Sequence, residues 1–185
     1  RTIYLSLDPY MRGRMSDAKS YAEPVPLGSV MIGGAVGIVE KSKNDRFDEG
    51  DIVVTHTGWQ SYAICDGRGV RKLNPSSTPI STALGVLGMP GMTSYVGLKH
   101  IGLPVEGETL VVAAATGPVG ATVGQIAKIK GCRTVGIAGG AEKCALAMSN
   151  GYDHVIDYTS TDFEAEVMRL TDGQGVDVAY DSVGN

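Results

Sequence analysis

The chain has 185 residues, 43% of them hydrophobic and 19% charged, with a formal net charge of -4. That is the make-up of an ordinary soluble globular protein, long enough to bury about 70% of its unfolded surface and to form one or two domains. The acidic balance and the lack of a basic run argue against a nucleic-acid surface, and no apolar run reaches membrane-spanning length or reads as a leader, so the cytoplasm is the expected compartment.

Residues 1–72 read as strands and turns. Residues 3–7 alternate weakly until Asp8-Pro9 breaks the run, and Asp8 is a turn residue before proline rather than an acid catalyst. Residues 33–42 (GGAVGIVEKS) form a strand whose glycines admit close backbone approach, and the polar stretch 43–50 is a surface turn. Residues 51–55, 60–65 and 70–73 supply three more short strands, which together predict a small barrel-like sheet. Residues 81–87 and 93–101 then predict helices, separated by Gly88-Met89-Pro90-Gly91.

From Thr109 onward strands and helices alternate. Residues 109–114 (TLVVAA) are a continuous apolar run, suited to a parallel strand covered on both faces. The turn 115–120 (ATGPVG) fits G-x-G-x-x-G with alanine in the first place and Gly117 and Gly120 in the others. Val119, Val123, Ile126 and Ala127 then recur at helical spacing and give the next helix one apolar stripe. Gly117 lets the backbone approach a pyrophosphate, Gly120 lets the helix lie tight on the strand, and Pro118 sits where its missing amide costs nothing. The helix start offers free amides and a positive dipole end to an anion. An ordinary strand-to-helix turn is the plain alternative; a strand before and a helix after favour a dinucleotide site.

A binder of NAD places Asp or Glu about 20 residues past the glycines, at the end of the second strand. Here that strand, 133–138, carries no acid at its end and runs into Gly139-Gly140. Lys143, three residues into the following helix, can meet a 2'-phosphate as a point charge, so the expected cofactor is NADP. A third strand at 153–157, a capping box at 161–164 and a fourth strand at 176–180 complete the alternation. The fold class is α/β: a small β domain at 1–88, then a doubly wound parallel sheet at 89–185. A doubly wound domain has strands beyond its switch point, so the chain reads as a piece of a longer protein. Cys65, Cys132 and Cys144 form no C-x-x-C and His56, His100 and His154 are scattered, so no metal site is expected.

Four blocks carry a family resemblance: Leu5-Ser6-Leu7-Asp8-Pro9-Tyr10-Met11-Arg12, Gly88-Met89-Pro90-Gly91-Met92-Thr93-Ser94-Tyr95, Val123-Gly124-Gln125-Ile126-Ala127-Lys128 and Lys130-Gly131-Cys132. Together they resemble the zinc-independent medium-chain reductases, within them the prostaglandin, plant double-bond and curcumin reductase group. The resemblance implies a GroES-like β domain ahead of a Rossmann domain, and NADPH-dependent reduction of the carbon-carbon double bond of enals and enones, by hydride transfer to the β carbon. It implies Gly117, Pro118, Val119 and Gly120 as the phosphate turn and Lys143 and Tyr158 as the 2'-phosphate contacts. Ser182 stands where the family's D-N-V-G motif has asparagine, leaving a shorter hydroxyl for the cofactor. Tyr10 is carried over as a substrate-pocket wall, and the 89–93 loop as the side of the nicotinamide pocket, with Met89 toward substrate and Thr93 toward cofactor. The family's donor tyrosine belongs to the second half of the nucleotide domain, beyond residue 185, so no catalytic residue is assigned and these residues alone are expected to turn over poorly. Residues 174–178 and 181–184 also look like quinone oxidoreductases, which makes NADPH-dependent quinone reduction the first alternative and a non-catalytic nucleotide-binding protein the second. A small enal, enone or quinone is the expected partner, and the family's tendency to pair implies a homodimer.

Overall fold

Two sheets of opposite kind organise the chain in the computed structural model, which describes residues 1–184. They fall in separate compact units, Arg1–Gly85 and Val86–Asn185.

The first unit is built on an antiparallel sheet in the order β1 (Thr2–Leu5), β2 (Ala35–Ile38), β3 (Ile52–Thr55), β4 (Arg71–Lys72). Ala35, Val36, Gly37, Val53 and Thr55 are its buried residues, with Val36 opposite Val54 and Gly37 opposite Val53. A Cβ at Gly37 would stand 2.6 Å from the Arg1 carbonyl oxygen, so glycine is what lets β1 lie against β2. The expected barrel is instead a four-stranded sheet. Residues 60–65 stay irregular: the Gln60 and Ser61 carbonyls accept from the hydroxyl and amide of Thr2 at 2.7 and 2.9 Å, without a ladder. The helical expectation for 81–87 resolves as a 3-10 turn at Ile80–Leu84. A short helix α1 (Tyr10–Gly13) buries Met11.

The second unit carries a parallel sheet of β5 (Thr109–Val112), β6 (Arg133–Ala138), β7 (His154–Asp157) and β8 (Val178–Tyr180), in spatial order β7-β6-β5-β8. The order reverses between β5 and β8, which makes the carboxyl end of that pair the switch point where such sheets open a crevice. All four β5 residues are buried, as a strand covered on both faces requires. Leu98, Leu110, Val112, Val123, Ala127, Ala147 and Tyr152 pack in one apolar cluster, and Val111, Val135, Ile156, Val167 and Leu170 in another. The connecting helices are α3 (Pro118–Ile129), α4 (Ala141–Ser149) and α5 (Phe163–Leu170).

Several boundaries differ from expectation for physical reasons. Helix α2 spans Met89–Gly97, continuing as a π turn at Leu98–Gly102, so Gly88-Met89-Pro90-Gly91 opens the helix instead of separating two. Pro90 is tolerated because it falls in the first turn, where an amide has no partner to lose. β5 stops at Val112 because Ala114 turns left-handed, with φ of 48°. β7 and β8 lose one and two residues at their starts; before β8, Asp177 is held by the Thr109 amide, which donates to its carboxylate at 2.8 Å. The α5 cap is Asp162, whose carboxylate accepts from the Ala165 amide at 3.0 Å, while the Thr161 hydroxyl donates to the Asp157 carbonyl at 2.7 Å. The expected box at 161–164 is thus replaced by an aspartate cap one residue later. No helix among the described residues is long and apolar enough to cross a membrane.

Candidate functional site at the switch point of the parallel sheet

After β5 the backbone turns at Ala114, and the Gly117 amide donates back to the Ala114 carbonyl at 2.8 Å. Gly117 is the N-cap of α3 in extended conformation and Pro118 is its first residue, so the left-handed strain of the turn falls on an alanine and not on a glycine. A Cβ on Gly120 would stand 3.0 Å from both the Ala114 carbonyl carbon and the Ala115 Cα and nearer still to the carbonyl oxygen. Only glycine lets the first turn of α3 lie this close to the end of β5, the packing role read from the sequence. Val119 packs its side chain against the core, and its carbonyl accepts from the Ser94 hydroxyl at 3.0 Å.

Tyr152 locks this turn from beneath. Its hydroxyl donates to the Gly120 carbonyl at 2.6 Å, and its ring lies against Gly124 and Gly136, where a Cβ would come within 2.7 and 3.1 Å of ring carbons. The ring is 3% exposed, and burial pushes the hydroxyl pKa well up, so it stays a neutral donor.

At the carboxyl ends of β5, β6 and β8 lies a cavity of about 540 Å³ lined by residues including Thr116, Gly139, Lys143, Tyr158, Tyr180 and Asp181. Lys143, the third residue of α4, is exposed. Tyr158, 61% exposed, lays its ring over Gly139, where a Cβ would come within 2.8 Å of it. β6 ends in Ala138, so no acid occupies the position that would read a ribose 2'-hydroxyl. An acid nevertheless stands next door: Asp157 closes β7 in register with Ala138. Its Oδ1 accepts from the Gly140 amide at 2.9 Å and from the Thr159 amide and hydroxyl at 3.0 and 2.6 Å. Those donors, the Gly140 amide foremost, hold the Asp157 carboxyl at a pKa of about 2.

Across the cavity, the Tyr180 hydroxyl donates to the Thr93 carbonyl at 3.0 Å, and Gly97 clears room for it. The Asp181 carboxylate accepts from the Val183 amide at 2.7 Å and shapes the D-S-V-G turn. Ser182 is exposed on that turn between two cavity-lining neighbours. The Thr93 hydroxyl is occupied by the Met89 carbonyl, 2.9 Å away. Met89 is 49% exposed at the start of α2. Tyr10 is half-buried on α1 in the first unit, where burial and then Asp8 push its hydroxyl pKa up. The structure thus brings Lys143 and Tyr158 together at one cavity, with Ser182 and Thr93 adjoining its far wall through Asp181 and Tyr180. Ala114, Asp157 and Tyr180 escaped the sequence reading; only the acid in Ile156-Asp157-Tyr158 carried a visible signal. Among the described residues no group of three or more His, Cys, Asp or Glu could hold a metal ion.

Two family models match the chain: "N-terminal domain of oxidoreductase" over residues 1–73 and "Zinc-binding dehydrogenase" over residues 118–185. The chain is 56% identical to the NADPH-dependent curcumin reductase of Escherichia coli (strain K12), over all of this chain and 53% of that one. It is 44% identical to prostaglandin reductase 1 of Rattus norvegicus, over 98% of this chain and 54% of the relative. Against the NADP(+)-dependent 2-alkenal reductase of Nicotiana tabacum identity is 39%, over 100% and 54%. Among solved structures, CurA of Vibrio vulnificus in complex with NADPH superposes with a TM-score of 0.93 at 54% identity, over 100% of this chain and 55% of that one. The Escherichia coli quinone oxidoreductase complexed with NADPH gives 0.69 at 29% identity, over 86% and 51%. The chain spans about half the length of the curated relatives it matches.

Proposed function

Because the chain belongs to the medium-chain reductase group, we propose that the protein containing it reduces the carbon-carbon double bond of enals and enones with NADPH. The observation that carries this reading is the cavity at the switch point, where β6 ends without an acid and Lys143 and Tyr158 stand instead. The names of the relatives, a curcumin, a prostaglandin and a 2-alkenal reductase, support the substrate class. In this reading residues 1–88 are the GroES-like β domain, residues 89–185 are the first half of the NADP-binding domain, and the protein pairs as a homodimer.

The residues present fit the nucleotide. Gly120 keeps α3 against the β5 turn, and Gly117 puts no side chain between the backbone and a pyrophosphate. The start of α3, with Pro118 and Val119 in its first turn, directs amides and the positive dipole end toward the phosphates. Lys143 supplies a cation to the 2'-phosphate and Tyr158 a hydroxyl donor. Ser182 offers a hydroxyl, Thr93 and Met89 border the nicotinamide pocket, and Tyr10 forms a wall for the substrate. When bound, NADPH supplies the hydride that goes to the β carbon. Negative charge then grows on the substrate carbonyl oxygen and calls for a donor aimed at it; no residue of this chain is assigned that role.

A second reading, NADPH-dependent quinone reduction, is favoured by the likeness to the quinone oxidoreductase. Following NADPH oxidation by the full-length protein with a simple enal, an enone and a benzoquinone separates the two. Consumption with the enal and enone is expected. Consumption with the quinone alone favours the second reading, and NADPH binding without oxidation by any acceptor overturns both.

A further inference from the structure

We propose that Asp157 is a positioning residue for the nucleotide's 2'-phosphate, tying the turn that leads into the Lys143 helix to the turn that carries Tyr158. The inference rests on the NADPH reading above and deepens it by naming what builds the discrimination between NADPH and NADH.

Asp157 stands beside the end of β6, within one strand spacing of where an NAD-binding chain places its acid. Its observed bonds run instead to the backbone and side chains beside it. Its Oδ1 accepts from three donors, the Gly140 amide, the Thr159 amide and the Thr159 hydroxyl, which commits that oxygen to the two turns around it. What those bonds join is the β6–α4 turn on one side and the β7–α5 turn on the other.

On the first side, Gly140 flanks the start of α4 with φ of 85°, a left-handed conformation that glycine adopts without steric cost. Its amide, anchored on Asp157, fixes how α4 leaves β6 and so where the third helical residue, Lys143, is rooted. On the second side, Asp157 and Thr159 bracket Tyr158 and are bonded to each other across it. The Tyr158 amide donates to the Ala138 carbonyl at 3.2 Å and its ring lies over Gly139. One carboxylate oxygen therefore joins the turn before the lysine to the turn of the tyrosine, beside the Tyr158–Ala138 bond. Two side chains on separate elements bind one phosphate more tightly when neither must be ordered at the moment of binding.

Asparagine at this position keeps an oxygen where Oδ1 stands and so keeps the tether, whereas alanine removes it and glutamate keeps the charge but displaces the oxygen. The test is equilibrium titration of the full-length protein with NADPH and with NADH, followed by nucleotide fluorescence, in wild type and in Asp157→Ala, Asp157→Asn and Asp157→Glu. For Asp157→Ala the NADPH Kd is expected to rise about tenfold while the NADH Kd moves less than about twofold, the scale of one charge-assisted contact. Asp157→Asn is expected to stay within about twofold of wild type for both nucleotides. Unchanged discrimination in Asp157→Ala, an equal loss for both nucleotides, or an Asn variant as weak as the Ala variant overturns the proposal. Should Asp157→Ala lose its circular dichroism, Asp157→Glu decides: reduced discrimination supports the tether, and wild-type discrimination overturns it. A wild-type chain that binds NADPH no better than NADH instead overturns the NADPH reading itself.

Discussion

Replacing Gly124 with alanine sets two effects against each other. Gly124 lies in the interior of α3, where glycine is about 1 kcal/mol less favourable than alanine, so helix propensity alone makes Gly124→Ala stabilising. The new Cβ would fall 2.7 Å from Tyr152 Cε2 and 2.8 Å from its Oη, inside van der Waals contact. The ring cannot retreat: it is 3% exposed, it also fills the space over Gly136, and its hydroxyl is held by the Gly120 carbonyl at 2.6 Å. Overpacking of this kind costs about 1–3 kcal/mol and the strained hydrogen bond about 1 kcal/mol more, so the clash outweighs propensity. A net loss of about 2 kcal/mol is expected, seen as a fall in Tm of roughly 10 °C for a unit of this size. Thermal unfolding by circular dichroism measures it. Pairing the change with Tyr152→Leu provides the control, because with the ring gone the alanine should become neutral or stabilising, a coupling that a double-mutant cycle reads directly. A Gly124→Ala variant as stable as wild type, or more stable, would show that Tyr152 does not wedge α3 onto the sheet.

Asp162→Ala removes the carboxylate that accepts from the Ala165 amide and should cost about 1 kcal/mol in urea unfolding, whereas Thr161→Val should leave the α5 cap intact. Acid titration should expose Asp157. Its folded pKa of about 2 lies below the value of about 3.9 in an unfolded chain, so it stabilises the fold above about pH 4, and that stabilisation is lost as pH falls through about 2. The urea midpoint followed from pH 5 to pH 2 should fall more steeply in wild type than in Asp157→Asn.

The parts of the fold that were legible in the sequence are those fixed by local chemistry. β6 is bounded as read, because its β-branched and small residues run without interruption between a Gly131 turn and Gly139-Gly140. β5 is read two residues too long, since Ala113 and Ala114 are apolar like the strand and nothing in an alanine announces a left-handed turn. Residues 60–65 have strand-like composition, but their two bonds from β1 both come from Thr2. At the candidate site, the glycine turn and Lys143 could be read from spacing, and Tyr158 and Ser182 only through family resemblance. Asp157 was missed because the rule for nucleotide acids looks at the end of the second strand, while this acid reaches the same place from the third. The bond from Tyr180 to Thr93 spans 87 residues of chain, a pairing no local pattern encodes.

In the proposed function the end of β6 receives a phosphorylated ribose through Lys143. Parallel titration of the full-length wild type and Lys143→Ala with NADPH and NADH decides whether it does. Wild type is expected to prefer NADPH, and Lys143→Ala to lose about tenfold of that preference with the NADH Kd unchanged. Equal binding of the two nucleotides by wild type, or a preference that survives the loss of the lysine, would contradict it.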